Sequence, residues 1–232
     1  MKVKRYSEIL DKRPREIVLL KGRPCVWGRC AFCDYIEDNS SDEMECNSVN
    51  EEVLSHVTGR YRELEVINSG SVFELPTDTL NRIRDVVKDR EIEKLSFESH
   101  WIYRLRLAEM RSFFHVPITF KCGIETFDDD FRNRVLKKGI TFDTLHEVAK
   151  YFNSVCILVG ILGQTRQMIE RDVDILLNNF EYGCINVFNE NNTCVKRDDE
   201  LVSWFRQEYG FVEALPNVDV LFDNTDFGVG GI

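Results

Sequence analysis

Short apolar runs alternate with longer amphipathic segments along most of the chain. Six of these runs are short and strand-like, and they cover residues 17–20, 65–68, 94–97, 118–121, 155–159 and 184–188. Between them lie helical patterns, such as the apolar stripe of Ile169, Val173 and Leu176. Strands that alternate with helices predict an α/β fold with a parallel sheet, and six strands are too few for a complete eight-stranded barrel.

Three local signals predict where helices begin. Residues 48–51 read Ser-Val-Asn-Glu, which has the form of a capping box, so a helix is predicted to follow it. Pro76 suits an early position of the next helix, and a last helix is predicted over about 198–209, followed by a tail. Because no linker or repeat interrupts the pattern, we expect one domain, with a core at about 17–190 and a C-terminal extension at about 191–232.

The chain has 232 residues, 43% of them apolar, and a formal net charge of −10. That length and apolar content suffice for a well-buried core. No apolar run approaches the roughly 20 residues that cross a bilayer, and the N-terminus lacks the apolar centre of a secretion signal. We therefore expect a cytoplasmic protein that does not enter a membrane. Because no long basic stretch is present, stable binding to nucleic acid is not expected.

Eight cysteines are present, and in a reducing compartment such residues serve as ligands or as small apolar groups. Cys122, Cys156 and Cys184 lie inside strand-like runs, so we expect them in the core. Cys46 and Cys194 lie in polar segments and are candidate ligands of a second cluster, although neither belongs to a Cys-x2-Cys pair.

Cys25, Cys30 and Cys33 crowd into nine residues shortly after the first predicted strand. A structural zinc site usually takes four protein ligands, and a closed 4Fe–4S cluster takes four thiolates. Three thiols without a fourth at cluster spacing instead favour a 4Fe–4S cluster with one iron open to another ligand. A zinc site and three free thiols are the alternatives at this point.

The Cys-x4-Cys-x2-Cys loop after a first strand resembles the loop of the radical S-adenosylmethionine (radical SAM) superfamily. The commonest form there is Cys-x3-Cys-x2-Cys, so the first gap is one residue longer here, whereas Phe32 before the last cysteine matches. The resemblance implies an open, partial (β/α)6 TIM-like barrel with a C-terminal helix and tail. It also implies that the three cysteines bind a 4Fe–4S cluster and that SAM binds its open iron.

The same resemblance implies a defined reaction and an electron source. One electron from the cluster cleaves SAM to methionine and a 5′-deoxyadenosyl radical, which abstracts a hydrogen atom from a substrate carbon. The protein's own task is to position the reactants and to exclude side reactions. The implied electron donor is of the flavodoxin or ferredoxin type.

Residues that contact SAM are implied at the carboxyl ends of the predicted strands. The serine-rich segment 69–71 is similar to the superfamily's glycine-rich segment, which binds the SAM amino group. Glu125 and Lys137 resemble a polar and basic pair that reaches SAM, and Lys138 is the other choice for the basic residue. Taken singly, the segments that contain glycine are also compatible with plain turns. The full set of implied cofactor-binding residues is Phe32, Ser69, Gly70, Ser71, Glu98, Glu125, Lys137, Gly160, Leu162 and Asn186.

Among compact members of the superfamily, the chain is similar to the queuine lyases, which split the cyclopentenediol of queuine from its 7-aminomethyl-7-deazaguanine base. The similarity rests on the chain length, the cysteine spacing and the lack of appended domains. It implies a small-molecule substrate of the 7-deazaguanine type and cleavage of a C–N bond. His100 is the candidate catalytic residue. The candidate substrate contacts are His100, Phe188, Asn189, Asp223, Asn224 and Asp226, the last three in a tail that also fits a plain polar terminus.

Two other functions fit the same residues. A radical SAM enzyme that modifies a peptide or a tRNA would be favoured by a basic patch or a partner subunit, and neither is visible in the sequence. A non-catalytic three-cysteine module that binds zinc or an iron–sulfur cluster would bind no SAM.

Overall fold

The computed structural model describes residues 3–231, which form two compact units. The first unit contains residues 3–28, Tyr35–Phe120 and 227–231, and the second contains Arg29–Asp34 and Lys121–Asp226. The segment that carries the three clustered cysteines is therefore divided between the units. The expectation of a single domain stays a prediction.

Eight short strands are present among the described residues. They are β1 (Tyr6–Ile9), β2 (Arg15–Leu20), β3 (Glu63–Asn68), β4 (Lys94–Glu98), β5 (Ile118–Glu125), β6 (Ser154–Val159), β7 (Tyr182–Val187) and β8 (Val218–Leu221). In the first unit, β1 is antiparallel to β2, and β2, β3 and β4 are parallel neighbours. In the second unit, β5, β6, β7 and β8 are parallel neighbours in chain order. This pairing of sequential strands confirms the predicted α/β class.

The six predicted apolar runs coincide with β2 to β7. The other two strands have weaker signals in the sequence. β8 lies in the predicted tail, and β1 was not predicted at all. The residues of β1 are Tyr-Ser-Glu-Ile, and all four are only half-buried because this edge strand has one neighbour, β2. An edge strand of this kind needs no continuous apolar run, so its sequence does not stand out.

Within residues 3–231, six α-helices lie between the strands. They are α1 (Glu43–Leu54), α2 (Thr77–Asp89), α3 (Leu107–Phe114), α4 (Leu145–Tyr151), α5 (Arg166–Asn179) and α6 (Asp199–Tyr209). Short 3-10 turns cover Tyr35–Asp38, Val72–Glu74, Trp101–Arg106 and Gly210–Ala214, and a π-helical turn covers Phe131–Val135. Between residues 3 and 231, no helix is both long and apolar enough to cross a membrane.

The start of α1 differs from the prediction. The capping-box pattern at residues 48–51 lies inside α1, and the helix begins after Asp42, whose carboxylate accepts hydrogen bonds from two N–H groups of the first turn. The prediction was wrong because Ser-x-x-Glu also occurs within helices, whereas an aspartate upstream supplies the actual cap. Pro76 directly precedes α2, and Asp198 caps α6, so these two helices begin close to where the sequence indicated.

Each unit has its own apolar core beneath its strands. In the first unit, Val18, Val66 and Phe97 occupy matching positions on neighbouring strands and are buried. In the second unit, Ile157 and Ile185 are paired across β6 and β7 and are fully buried. Burying one such side chain contributes roughly 1.5–3 kcal/mol, so these rows hold the strands whose ends carry the predicted site.

The three cysteines predicted to belong to the core do so. Cys122, Cys156 and Cys184 are all buried and form no disulfide. Cys156 and Cys184 are paired across β6 and β7. A hydrogen bond to Cys184, followed by burial, raises the pKa of the Cys156 thiol well above its ordinary value. Cys156 therefore stays protonated and behaves as a small apolar group rather than as a ligand.

Candidate functional site

The carboxyl ends of β3 and β4 hold the first group of predicted site residues. Segment 69–71 follows β3, Glu98 ends β4, and His100 lies two residues later. Ser71 joins the two ends, because its hydroxyl oxygen accepts a hydrogen bond of 2.8 Å from the backbone N–H of His100. Ligands of parallel α/β sheets bind at this edge, so these residues lie where a site is expected.

The turn after β3 is closely packed. The N–H of Gly70 donates to the Asn68 carbonyl at 2.7 Å, and Asn68 Nδ2 donates to the carbonyl of the fully buried Ser71 at 3.2 Å. A Cβ atom at Gly70 would lie 2.8 Å from the Glu74 carboxylate, so only glycine fits there. The backbone of this turn is thus ordered by the protein itself.

His100 stacks on Trp27, with ring centroids 5.8 Å apart and ring planes at 13°. Its Nδ1 accepts a hydrogen bond of 3.3 Å from the N–H of Ile102, which caps the 3-10 turn Trp101–Arg106. A neutral imidazole that accepts at Nδ1 carries its proton on Nε2. The predicted catalytic candidate therefore also has a structural role, and its partner Trp27 was not predicted.

Glu74 is the main residue of this region that the sequence analysis missed. Its buried carboxylate accepts hydrogen bonds at Oε1 from the Tyr103 hydroxyl at 2.9 Å and the Val26 N–H at 3.2 Å, and at Oε2 from the Ser71 N–H. Ser71 and Glu74 form the capping box of a 3-10 turn. The Ser-x-x-Glu pattern that was wrongly applied to residues 48–51 would have identified Glu74 here.

Hydrogen bonds from Arg23 connect the segment around Cys25 to the turn after β3. The N–H and Nε of Arg23 donate to the Glu74 carbonyl at 2.9 and 3.3 Å. Its Nη2 donates to the carbonyls of Phe73 and Leu75, each at 3.3 Å. Cys25 is half-buried and has a free thiol. Its peptide is therefore held in place while its sulfur stays accessible to a ligand.

In the second unit, Cys30 and Cys33 belong to one tight turn. The N–H of Cys33 donates to the Cys30 carbonyl at 3.3 Å, and both cysteines are half-buried and in no disulfide. Asn191 Nδ2 donates to the Phe32 carbonyl at 2.7 Å, although 159 positions separate the two residues in the chain. Asn191 was not predicted, because its polar segment contains no motif that signals this contact.

The Phe32 ring packs on an apolar cluster of the second unit. The cluster consists of Phe131, Leu136, Leu158, Ile161 and Phe188. The Leu136 carbonyl also accepts a hydrogen bond of 2.9 Å from the N–H of Ala31. Phe188, a predicted substrate contact, is buried in this cluster and supports the cysteine turn from beneath.

Glu125 and Lys138 form a largely buried ion pair, with Nζ 2.6 Å from Oε1. Burial alone would lower the pKa of Lys138, but the charge of Glu125, with a further contribution from Cys30, outweighs it and raises the pKa. Lys138 Nζ also lies 5.5 Å from the centre of the Phe32 ring. Lys137 is exposed, so Lys138 and not Lys137 pairs with Glu125.

The choice between these lysines depends on local backbone geometry. The register between β5 and β6 shifts between Gly123 and Glu125, and Glu125 has a φ of +67°, in the left-handed region. The segment that follows contains the π-helical turn Phe131–Val135. A π turn holds one more residue than an α turn and rotates everything after it, so regular helical spacing does not indicate which lysine faces Glu125.

The ends of β6 and β7 carry the remaining predicted cofactor contacts. Gly160 has a φ of +89°, and any side chain there would collide with Val202, so both conformation and packing require glycine. Leu162 is 60% exposed, and its N–H donates to the Lys196 carbonyl at 2.8 Å. Asn186 is half-buried, and its Oδ1 accepts a hydrogen bond of 3.3 Å from the thiol two residues earlier.

The predicted substrate contacts near the C-terminus fall into two groups. Asn189 uses both ends of its amide within the protein, since Oδ1 accepts from Arg197 at 2.7 Å and Nδ2 donates to a backbone carbonyl at 2.9 Å. Asp226 closes a turn by accepting from two backbone N–H groups at 2.7 and 2.9 Å. Asp223 and Asn224 are exposed. Asn189 and Asp226 therefore have partners within the protein, whereas Asp223 and Asn224 are exposed to solvent.

The two cysteines considered for a second cluster have different surroundings. Cys46 is fully buried in α1 and its thiol lies 3.7 Å from the Ser40 carbonyl, whereas Cys194 is exposed. Within residues 3–231, no three His, Cys, Asp or Glu side chains surround a position for a single metal ion. A 4Fe–4S cluster spreads its thiolate ligands over separate irons. Its assignment to the cysteine loop rests on the thiols and their spacing.

Comparison with known proteins identifies the family. No family model matches the chain. An uncharacterised protein of Methanocaldococcus jannaschii is 24% identical over 157 residues, which are 59% of this chain and 43% of that protein, so the chain spans less than half the length of that curated relative. The structure of Streptococcus suis SuiB bound to S-adenosylmethionine is 14% identical, with a TM-score of 0.55 over 91% of this chain and 47% of that one, which shows a shared fold.

The structure of queuine lyase from Clostridium spiroforme bound to SAM and queuine is far more similar. It is 49% identical, and the match covers 99% of this chain and 100% of that one with a TM-score of 0.98. The partial-barrel α/β fold and the radical SAM assignment predicted from the sequence are both confirmed. The chain belongs to the queuine lyase family of radical SAM enzymes.

Proposed function

We propose that this protein uses a 4Fe–4S cluster and SAM to release 7-aminomethyl-7-deazaguanine from queuine. The observation that carries the proposal is the 49% identity, over the whole of both chains, to an enzyme whose structure holds SAM and queuine. The radical chemistry implied by the cysteine loop is consistent with cleavage of a C–N bond next to an allylic ring carbon. We place the enzyme in the cytoplasm.

The cysteine loop has the donor set that the cluster needs. Cys25, Cys30 and Cys33 belong to no disulfide and are only half-buried, so their sulfur atoms suit the role of thiolate ligands. Iron–sulfur clusters take such ligands, and three of them leave one iron for SAM. When bound, the cluster supplies the electron that cleaves SAM. The external reductant we propose is a flavodoxin or ferredoxin-type protein.

The chain's own residues orient SAM in this proposal. The ordered turn at 69–71 binds the amino group, and Glu98 lies at the end of the neighbouring strand. The Lys138 ammonium, which Glu125 keeps charged, faces the methionyl carboxylate. The main-chain groups around Gly160 and Leu162, together with Asn186, line the adenine. Each of these groups is positioned by neighbouring protein atoms, which lowers the entropy lost on binding.

The substrate contacts we propose are polar and aromatic. His100, stacked on Trp27, presents Nε2–H to the diol ring, and the exposed Asp223 and Asn224 accept hydrogen bonds from the N–H groups of the deazaguanine edge. A purine-like base presents several N–H donors, which is the reason that carboxylate and amide oxygens suit it. Phe188 and Asn189 support these contacts from within the protein.

The test is anaerobic reconstitution of the cluster, followed by reaction with SAM, dithionite and queuine under mass-spectrometric detection. We expect 5′-deoxyadenosine and 7-aminomethyl-7-deazaguanine in equal amounts, and neither from the Cys30→Ser variant. Formation of 5′-deoxyadenosine that does not respond to queuine would reject the substrate. A parallel reaction with tRNA that contains queuosine distinguishes the free base from the nucleic acid, and turnover only with tRNA would favour the rival enzyme class.

A further inference from the structure

The buried carboxylate of Glu74 connects three parts of the first unit. Oε1 accepts from the N–H of Val26, the residue after Cys25, and from the hydroxyl of Tyr103, whereas Oε2 accepts from the N–H of Ser71. The side chain is 4% exposed, so water does not replace these partners. One carboxylate thus holds both the peptide next to a cluster-binding cysteine and the turn to which we assign the SAM amino group.

All three partners of this carboxylate are hydrogen-bond donors, and they approach both oxygens. A glutamine would present an NH2 group to at least one of these donors, because its amide has only one acceptor atom. The Glu74 carboxylate occupies the space over Gly70, since a Cβ atom at that glycine would lie 2.8 Å from Oε2. The position therefore requires an acceptor at both ends, which only a carboxylate of this length supplies.

Within residues 3–231, the Glu74 carboxylate forms no ion pair. The guanidinium of Arg23 donates to main-chain carbonyls and to the carboxylate of Glu43 instead. The guanidinium of Arg106 packs on the rings of Phe73 and Tyr103. Burial and the charge of Glu74 raise the pKa of the Tyr103 hydroxyl, Arg106 opposes the rise, and the Cys25 sulfur adds to it, so Glu74 and Cys25 both act on this hydroxyl. A buried carboxylate that has no ion-pair partner and lies beside a redox centre favours the oxidised form of that centre.

We infer that Glu74 is a positioning residue that orients the Cys25 peptide and the SAM-binding turn together and lowers the reduction potential of the cluster. This inference rests on the proposed function for the presence of the cluster and SAM. It assigns Glu74 no contact with substrate. A lower potential makes the reduced cluster a stronger reductant, so the charge assists the electron transfer to SAM while the hydrogen bonds set the binding geometry.

Three variants separate charge from hydrogen bonding. Glu74→Gln removes the charge and one acceptor, and Tyr103→Phe removes one donor and keeps the charge. Glu91→Gln is the control, because that carboxylate is exposed and paired with Arg62. Each reconstituted protein is measured by iron content, by redox titration followed with electron paramagnetic resonance, and by the KM and kcat of SAM cleavage without queuine.

We expect Glu74→Gln to shift the midpoint potential to a more positive value, to lower kcat and to raise the KM for SAM about tenfold, because one charge-assisted hydrogen bond contributes about a factor of ten. Tyr103→Phe should raise the KM less and leave the potential unchanged, and Glu91→Gln should change neither. If Glu74→Gln binds too little iron to titrate, Glu74→Asp replaces it: it retains the charge, so its potential should equal that of the wild type while its KM rises.

An unchanged potential in Glu74→Gln, or a shifted potential in Glu74→Asp, would overturn the inference. Because every readout is made without queuine, a wrong substrate assignment leaves the test intact. Wild-type protein that binds no cluster under any condition would instead reject the proposed function itself, together with this inference.

Discussion

The two segments that carry the clustered cysteines are held by different forces. In the first unit, the peptide beside Cys25 is held by a buried charge, Glu74, and by the guanidinium of Arg23. In the second unit, the turn of Cys30 and Cys33 is held by the neutral amide of Asn191, one backbone hydrogen bond and the apolar contacts of Phe32. We call Glu74 the charged anchor and Asn191 the neutral anchor. The charged anchor depends on local electrostatics, whereas the neutral anchor depends on packing. The two segments should therefore respond differently to mutation.

The largest effect is expected from replacing a cysteine in either segment. If the three loop cysteines bind the proposed cluster, Cys25→Ser and Cys33→Ser should each abolish 5′-deoxyadenosine formation. Iron content and visible absorbance should fall together with activity, because a hydroxyl is a poor ligand for iron–sulfur clusters. The buried Cys122→Ser variant is the control, and it should retain the cluster. Activity in either loop variant would show that its segment does not ligate the cluster.

The next effect concerns the charged pair of the second unit. Lys138→Met should lower the free energy of unfolding by about 3–5 kcal/mol, because it leaves the buried Glu125 carboxylate without its partner. Its neighbour supplies the matched control: Lys137→Met, at an exposed position, should change stability by about 0.5 kcal/mol or less. Urea denaturation of both apo variants measures the difference. Equal effects would mean that the pairing with Glu125 is not selective.

A pH effect on stability is expected from Asp172, a buried carboxylate of the second unit. Asp172 accepts a hydrogen bond of 2.8 Å from the Phe127 N–H, and burial raises its pKa to about 6. A raised acid pKa means that the folded protein binds the proton more tightly than the unfolded chain, so stability falls as the pH rises from about 4 to about 6. The fall should amount to about 2–3 kcal/mol. Asp172→Asn keeps the acceptor and should flatten this part of the stability–pH profile, and a profile as steep as the wild type's would contradict the assignment.

The smallest effect tests the neutral anchor. Asn191→Ala removes the hydrogen bond to the Phe32 carbonyl and should cost about 1 kcal/mol of stability. Because no charge changes, the potential of the reconstituted cluster should stay at the wild-type value, in contrast to the shift expected for Glu74→Gln. Asn178→Ala, on the exposed face of α5, is the control for loss of an amide. A shift of the potential in Asn191→Ala would remove the distinction between the two anchors.

The fold was largely predictable because its signals are local. Apolar runs and amphipathic stripes report the periodicity of strands and helices, and all six predicted runs are strands. The two errors have the same cause. β1 is an edge strand with no apolar run, and the capping pattern at residues 48–51 is compatible with both a helix start and a helix interior. Local sequence alone does not separate those cases.

The site was predictable only in part. The three cysteines and the turn at 69–71 are contiguous, so their spacing is visible in the sequence. The two anchors are not. Glu74 receives donors from Val26 and Tyr103, which are distant in the chain, and the contact of Asn191 with the cysteine turn spans 159 positions. The predicted roles of the other site residues stay predictions.

By itself, the sequence determined the α/β class, the cysteine triad and the radical SAM chemistry that the triad implies, because each depends on residues close together in the chain. Tertiary structure alone decided that Lys138 rather than Lys137 pairs with Glu125, and that Glu74 and Asn191 hold the cysteine segments. These outcomes depend on which donor meets which acceptor after folding. A register shift or a π turn changes that pairing, but neither is visible in the local pattern of apolar and polar residues.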